Sequence, residues 1–264
     1  LDTFEIMMYR SFVGVVIVTA LITVFRRWRQ VSVLRVRQHG LRNMAHVTGQ
    51  NLWFYAVSVI PLAQVIAFEF TSPIWVILLA PLLLGEKLTR MRGLAVCLGF
   101  AGILIVTRPS PATFNLGLAC AAASAVFFAL TNIATKRLTR AESIWSIMFW
   151  LTLMQLVLGV VFAGWDMDIT LPDAQSLPFL LIVGCAGLSA HFCLTNALSL
   201  APAVIVVPID FVRLPFIALL GWLIYSEPVE IWLFVGGGLI LTANFINIVS
   251  SRQQHHQPGR EGAT

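Results

Sequence analysis

The sequence predicts an all-α integral membrane protein: a multi-span helical bundle of two inverted five-helix repeats, with nine spans in these 264 residues. Three observations predict it. Hydrophobic residues make up 58% of the chain and charged residues 11%, whereas a soluble domain carries about 25% charged residues. The apolar residues fall in long blocks cut by short charged stretches, the pattern of repeated bilayer crossings. Part of the first half also recurs, without gaps, 141 residues later, as Pro61 and Pro202 do.

A crossing needs about 20 apolar residues. The blocks place spans at 6–25, 44–62, 64–84, 91–107, 116–135, 144–163, 178–200, 203–225 and 231–249, followed by a polar tail, 251–264. Pro61-Leu62 and Ala201-Pro202 each separate two spans by a couple of residues, so the spans they join are antiparallel neighbours.

Lys and Arg set the orientation. Arg26, Arg27, Arg29, Arg35, Arg37 and Arg42 follow the first span. Lys87, Arg90 and Arg92, then Lys136, Arg137 and Arg140, then Arg252 and Arg260, occupy the alternate loops and the tail. That side is read as cytoplasmic. The other side holds Arg108 and the acids Asp166, Asp168, Asp173, Glu227 and Glu230. Nine crossings then put residue 1 outside and the carboxyl end in the cytoplasm. The arginines flank spans and do not form one face with interleaved aromatics, so nucleic acid is not an expected partner.

The chain opens on Leu1-Asp2-Thr3-Phe4-Glu5 with no basic leader and no small-residue cleavage site. The expectation is that an amino-terminal part of the protein precedes residue 1. Cys97, Cys120, Cys185 and Cys193 all lie in apolar blocks and read as small buried thiols. There is no CxxC, no His/Cys cluster, no nucleophile–base set and no phosphate loop. Gly236-Gly237-Gly238 lies inside an apolar block. No cofactor, metal or catalytic residue is expected. His255-His256 belongs to the tail.

The repeat pairs Phe54 to Pro61 with Thr195 to Pro202, where Ala, Ser and Pro coincide. The same offset pairs Glu69 with Asp210, Phe70 with Phe211, Leu79 with Leu220 and Glu86 with Glu227. It joins the second span to the seventh, and these run in opposite directions, so the repeats are inverted. Inverted repeats recur in secondary transporters, with the substrate site near the midplane at the repeat interface. The second repeat has five spans and the first four. A span before residue 1 would make ten.

This arrangement resembles the drug/metabolite transporter superfamily, in particular its EamA-type members of ten helices in two five-helix repeats. The resemblance rests on Phe4-Glu5 with Arg10, Gly85-Glu86, Gly93 to Pro109, Ala197 to Pro202 and Ser226-Glu227-Pro228, and covers nearly all of residues 1–250. It implies repeats at 1–109 and 115–250, and transport of small metabolites such as amino acids, nucleotide-derived compounds or vitamins. A small-molecule substrate and the lipid bilayer are the expected partners. With no ATPase domain, concentrative transport draws on an ion or substrate gradient, a proton gradient among them. A homodimer is left open.

Ionisable groups inside spans face a cavity or a partner. Asp210 and Arg213 share a helix face, as an ion pair or as part of a substrate or proton site. Glu69, the mate of Asp210, has no basic neighbour one turn away, and reads as a proton carrier or as a carboxylate in a water-filled vestibule. Gln50, Asn51 and Tyr55 in the second span, with His191 and Asn196 in the seventh, are expected to bind substrate. Gln50 pairs with His191, and Tyr55 with Asn196, at the repeat offset. Asn43 and His46, near the cytoplasmic end, read as interhelical or headgroup contacts. Arg10 either snorkels, pairs with Glu5 or recruits an anion. Trp53 and Tyr55 offer stacking surfaces. Pro73, Pro81, Pro208 and Pro215 interrupt helices. Two other readings stand beside transport: a membrane-embedded enzyme acting on a lipid-linked substrate, and a non-transporting assembly partner.

Overall fold

The structure, a computed structural model, describes residues 1–85, 90–107, 115–165, 168–209, 223–224 and 231–255. Among the described residues the ordered elements are helical: α1 (Thr3–Val24), α2 (Val36–Val59), α3 (Leu62–Glu69), α4 (Ser72–Leu84), α5 (Arg90–Thr107), α6 (Leu116–Thr139), α7 (Ile144–Ala163), α8 (Ser176–Leu200), α9 (Ala203–Ile209) and α10 (Ile231–His255). A 3-10 turn, Trp28–Gln30, lies between α1 and α2. Among the described residues five segments are long and apolar enough to cross a membrane: Thr3–Val24, Gln64–Leu84, Leu116–Thr139, Ile144–Ala163 and Ser176–Leu200. Phe12, Val16, Val160 and Ile182 are exposed, as lipid-facing side chains of spans are. The chain is an all-α, multi-span membrane protein.

Local chemistry places the helix ends. Asp2 caps α1 in a capping box, accepting from the Glu5 N–H while Glu5 accepts from the Asp2 N–H. Ser143 caps α7 by accepting from the Ser146 N–H. The ammonium of Lys136 donates to the carbonyls of Leu198 (2.7 Å) and Ala201 (2.9 Å), closing the C-terminus of α8. Gly85 ends α4 in the left-handed conformation, with φ of 70°, a position that disfavours any residue with a Cβ.

The expected span 64–84 is present as an apolar segment, Gln64–Leu84, but its helix is broken. It is two helices, α3 and α4, with a break at Phe70-Thr71. Pro73 explains it: proline has no N–H to donate back to the Glu69 carbonyl, and its ring would clash there. Thr71 instead accepts from the Trp75 indole N–H at 3.1 Å. Pro81 and Pro208 lie within α4 and α9 without interrupting them. Pro215 lies outside the described residues.

The chain divides into two compact units, residues 1–47 with 134–201, and residues 48–133 with 202–264. In the first, α1 packs against α7 and α8. Val18 and Ile22 bury against Met148, with Leu188 alongside, and Gly159 lies against Met8. Contacts that rise along α1 therefore fall along α7, so the two are antiparallel. Along α8 they rise together, from Val13 against Gly184 to Leu188 beside Val18 and Ile22.

In the second unit α5 packs along α10, and Phe70, Ile74 and Ile240 form a core. Gly99 lies near Ala243, and Gly102 against Ile240, so this pair is antiparallel too. The amino-terminal half of α6 closes on α2 through Leu118 and Ala121 against Ala56 and Ile60.

The 141-residue offset reappears in the helix starts. It carries Thr3, first residue of α1, to Ile144, first of α7. It carries Leu62 of α3 to Ala203 of α9, and Arg90 of α5 to Ile231 of α10. It also carries Val59, the end of α2, to Leu200, the end of α8. Thus α1 packs antiparallel to its own mate, as does α5.

Candidate substrate site in the first unit

The first unit holds a small pocket between α1, α7 and α8. Arg10, Ser11 and Gly14 come from α1, Thr152 and Gln155 from α7, and Gly184, Gly187 and His191 from α8. Small residues make the approach possible. A Cβ on Gly184 would lie 2.8 Å from Val13 Cγ1, and one on Gly14 would lie 3.0 Å from Thr152 Cγ2, so side chains there would push the helices apart. The usable space is about 20 Å3, enough for an ordered water and too small for a metabolite. In this conformation the pocket is narrow around its polar groups.

Arg10 reaches inward. Its carbonyl oxygen lies near Gly184, while its Cδ, Nη1 and Cζ lie 3.5, 3.6 and 3.9 Å from where a Gly187 Cβ would be. Because α1 and α8 run parallel, the guanidinium is displaced away from the amino-terminal ends of both helices, opposite to snorkelling toward the nearer end. Its Nη2 donates to Gln155 Oε1 at 3.3 Å. The expected pairing with Glu5 is not formed: Glu5 accepts instead from the backbone N–H groups of Asp2 and Thr170. Gln155 is 5% exposed, and its Nε2 has no hydrogen-bond partner.

Next to this pair, the His191 ring meets the His46 ring edge to face, with centroids 4.9 Å apart. His46 is buried, which removes headgroup contact as its role. One turn earlier on α2 lies Arg42, which is 3% exposed. It donates from Nε to Thr135 Oγ1 (3.1 Å) and from Nη1 to Asn43 Oδ1 (3.0 Å). Arg42 was counted among the loop cations; it is instead a buried helix residue held by neutral acceptors. Asn43 donates to the carbonyls of His39 (2.9 Å) and Trp150 (3.4 Å), the interhelical contact expected of it.

The sequence candidates distribute as follows. His191 lines the pocket. Asn196 is exposed on α8. In the second unit Gln50 and Asn51 are half-buried and Tyr55 is exposed. Glu69, at the end of α3, accepts from the Trp53 indole N–H at 2.8 Å. Asp210 and Arg213 lie outside the described residues.

Sequence reasoning passed over Gln155 and left Arg10 undecided. The repeat offset selected positions that are polar in both halves. Arg10 is matched by Leu151, Gln155 by Gly14 and His46 by Gly187, so the comparison of halves could not find them. A single amide amid the apolar run 144–163 was the available signal.

The EamA-like transporter family matches residues 1–108 and 115–249. The chain belongs to this family. It is 32% identical over 210 residues to a riboflavin transporter of Brucella anthropi, covering 78% of this chain and 74% of that one. It is 24% identical over 253 residues to an S-adenosylmethionine uptake transporter of Rickettsia bellii, covering 96% and 86%. A crystal structure of another protein superposes with a TM-score of 0.71 at 18% identity, covering 96% of this chain and 90% of that one, and has the same fold. This EamA-family protein is a multi-pass membrane transporter of small metabolites.

Proposed function

We propose that this transporter is a secondary carrier in the cytoplasmic membrane, with its carboxyl end in the cytoplasm, working by alternating access between inverted repeats at 1–109 and 115–250. The observation that carries the reading is the antiparallel packing of α1 with α7 and of α5 with α10, each the other's mate at the repeat offset. Two similar halves of opposite orientation can exchange conformations and so open one site to either side. The broken α3–α4 segment supports the same reading, since discontinuous helices build transporter sites.

The test is flux into proteoliposomes. Riboflavin and S-adenosylmethionine head the panel, because relatives carry those names. Amino acids, nucleosides and other vitamins follow, each with and without an imposed pH gradient. Saturable flux of one compound, lowered in Asp210→Asn at equal protein level, is the expected result. No flux of any compound from correctly inserted protein would overturn the carrier reading in favour of an enzyme or an assembly partner. Gradient dependence would establish proton coupling.

A further inference from the structure

We infer that the Arg10–Gln155 pocket is an anion site, and that the transported metabolite presents a carboxylate or phosphate group to it. The inference rests on the carrier reading and narrows its substrate class.

Arg10 is the starting point. An arginine keeps its charge in any protein environment, and one held within a membrane bundle ordinarily faces a counter-ion or a water-filled cavity. Among the described residues Arg10 makes no ion pair, and its hydrogen-bond partner is the neutral amide oxygen of Gln155. The acid one turn away, Glu5, is committed to backbone N–H groups. Arg42, buried in the same unit, is likewise held by neutral acceptors. His191 lines the same pocket as Arg10, and its ring meets the His46 ring edge to face at 4.9 Å. Among the described residues no carboxylate lies within ion-pair distance of Arg10 or Arg42: the acids of the unit with buried side chains, Glu5 and Glu142, engage backbone N–H groups and Arg35 respectively.

Gln155 supplies the second, independent observation. The amide gives its oxygen to Arg10 and leaves Nε2 without a partner, in a side chain that is 5% exposed and lines the pocket. A buried donor without an acceptor is costly. A carboxylate or phosphate oxygen between Arg10 and Gln155 would satisfy both groups at once, and planar bidentate recognition of such anions is what arginine does best. Gly187 faces the guanidinium without a side chain: a Cβ there would be in van der Waals contact with Arg10 Cδ and Nη1, at 3.5 and 3.6 Å.

The same chemistry is present in a lipid headgroup, so the test separates the sources. The full chain is placed in phosphatidylcholine nanodiscs, and its thermal unfolding is followed with sodium phosphate or sodium acetate against sodium chloride at equal ionic strength. A parallel series contains phosphatidylglycerol and no added anion. The expected result is a saturable rise in Tm with phosphate or acetate. Arg10→Gln weakens apparent affinity at least about tenfold, Arg10→Lys keeps part of it, and Gln155→Leu weakens it several-fold. An equal rise in wild type and Arg10→Gln, or no rise in wild type, overturns the site. Stabilisation by phosphatidylglycerol alone makes the pocket a lipid contact and overturns the substrate assignment. If Arg10→Gln fails to fold, the Arg10→Lys and Gln155→Leu series decides. Flux is measured separately: flux unchanged in Arg10→Gln defeats this site and leaves the carrier standing. Anion binding through Arg10 without flux of any compound defeats the carrier reading instead.

Discussion

Gly102 of α5 faces Ile240 of α10 with no room for a methyl group. A Cβ on the glycine would lie 2.8 Å from Ile240 Cγ1 and 2.6 Å from the Gly236 carbonyl oxygen. Ile240 is the repeat mate of Gly99, and Ala243, which lies beside Gly99, is the mate of Gly102. The two contacts are thus related as a two-fold axis between α5 and α10 would relate them. Because one obstacle is backbone, it cannot rotate away. Gly102→Ala should destabilise the protein by about 1–3 kcal/mol. Gly238→Ala meets nothing within 4 Å, and should stabilise by about 0.5–1 kcal/mol through the helix interior alone. Unfolding midpoints of the two variants in one detergent give the comparison, and equal shifts would remove close α5–α10 packing as the cause.

The C-terminus of α8 is held by two side chains of α6. Lys136 reaches the Leu198 and Ala201 carbonyls, and Thr139 Oγ1 adds a longer contact of 3.4 Å to Leu198. Orphan carbonyls at a helix end need donors. Lys136→Met should therefore cost about 1.5–3 kcal/mol, the range for hydrogen bonds from a charged donor, while Thr139→Ala costs less. Hydrogen exchange of the residues around Ala201 provides the local readout. Protection unchanged in Lys136→Met would show that the cap is dispensable.

The loop before α8 should contribute to acid sensitivity. Asp173 accepts from the Ser176 N–H at 2.7 Å, and Ser176 Oγ accepts from the Asp173 N–H at 3.1 Å. The Ser176 side chain first, and its backbone N–H second, hold the carboxyl below its ordinary value of 3.8. A carboxylate with a depressed folded pKa stabilises the fold above its unfolded pKa and loses that contribution as pH falls through the lower, folded value. Asp173→Asn should flatten the acid limb of a Tm-against-pH profile recorded below about pH 4. A limb of unchanged steepness would place the sensitivity elsewhere.

Most of the architecture was legible because bilayer crossing imposes a long apolar period that single residues rarely disturb. The start of α3 follows from Pro61, and the end of α4 from Gly85. The break at Phe70-Thr71 was harder to place. Four prolines signalled interruptions, yet Pro73 sits at a break while Pro81 lies inside α4. An isolated proline does not reveal whether neighbouring helices satisfy the backbone it frees. The candidate site was less legible for a different reason. A repeat comparison detects what both halves share. The pocket hydroxyls Ser11 and Thr152 are repeat mates, but its Arg10–Gln155 pair is not shared, with Arg10 against Leu151 and Gln155 against Gly14. Two related halves can shape a carrier, but binding an asymmetric molecule requires them to differ.

The Trp53–Glu69 contact leads to a prediction about coupling. Glu69 ends α3, and a carboxylate there meets the negative end of the helix dipole. The Trp53 indole N–H supplies a donor at 2.8 Å. Glu69→Gln keeps an oxygen for the indole and removes the exchangeable proton. Trp53→Phe keeps the proton site and removes the donor. If Glu69 carries the coupling proton, Glu69→Gln folds normally and transports down a substrate gradient, yet loses stimulation by an imposed pH gradient. Trp53→Phe then retains stimulation with stability lowered by up to about 3 kcal/mol. Flux in proteoliposomes with matched inside and outside pH, compared with an acid-outside gradient, separates the two. Stimulation that survives in Glu69→Gln would remove Glu69 from proton transfer. The pair would then serve as a clamp that holds the end of α3 against α2 where the helix breaks.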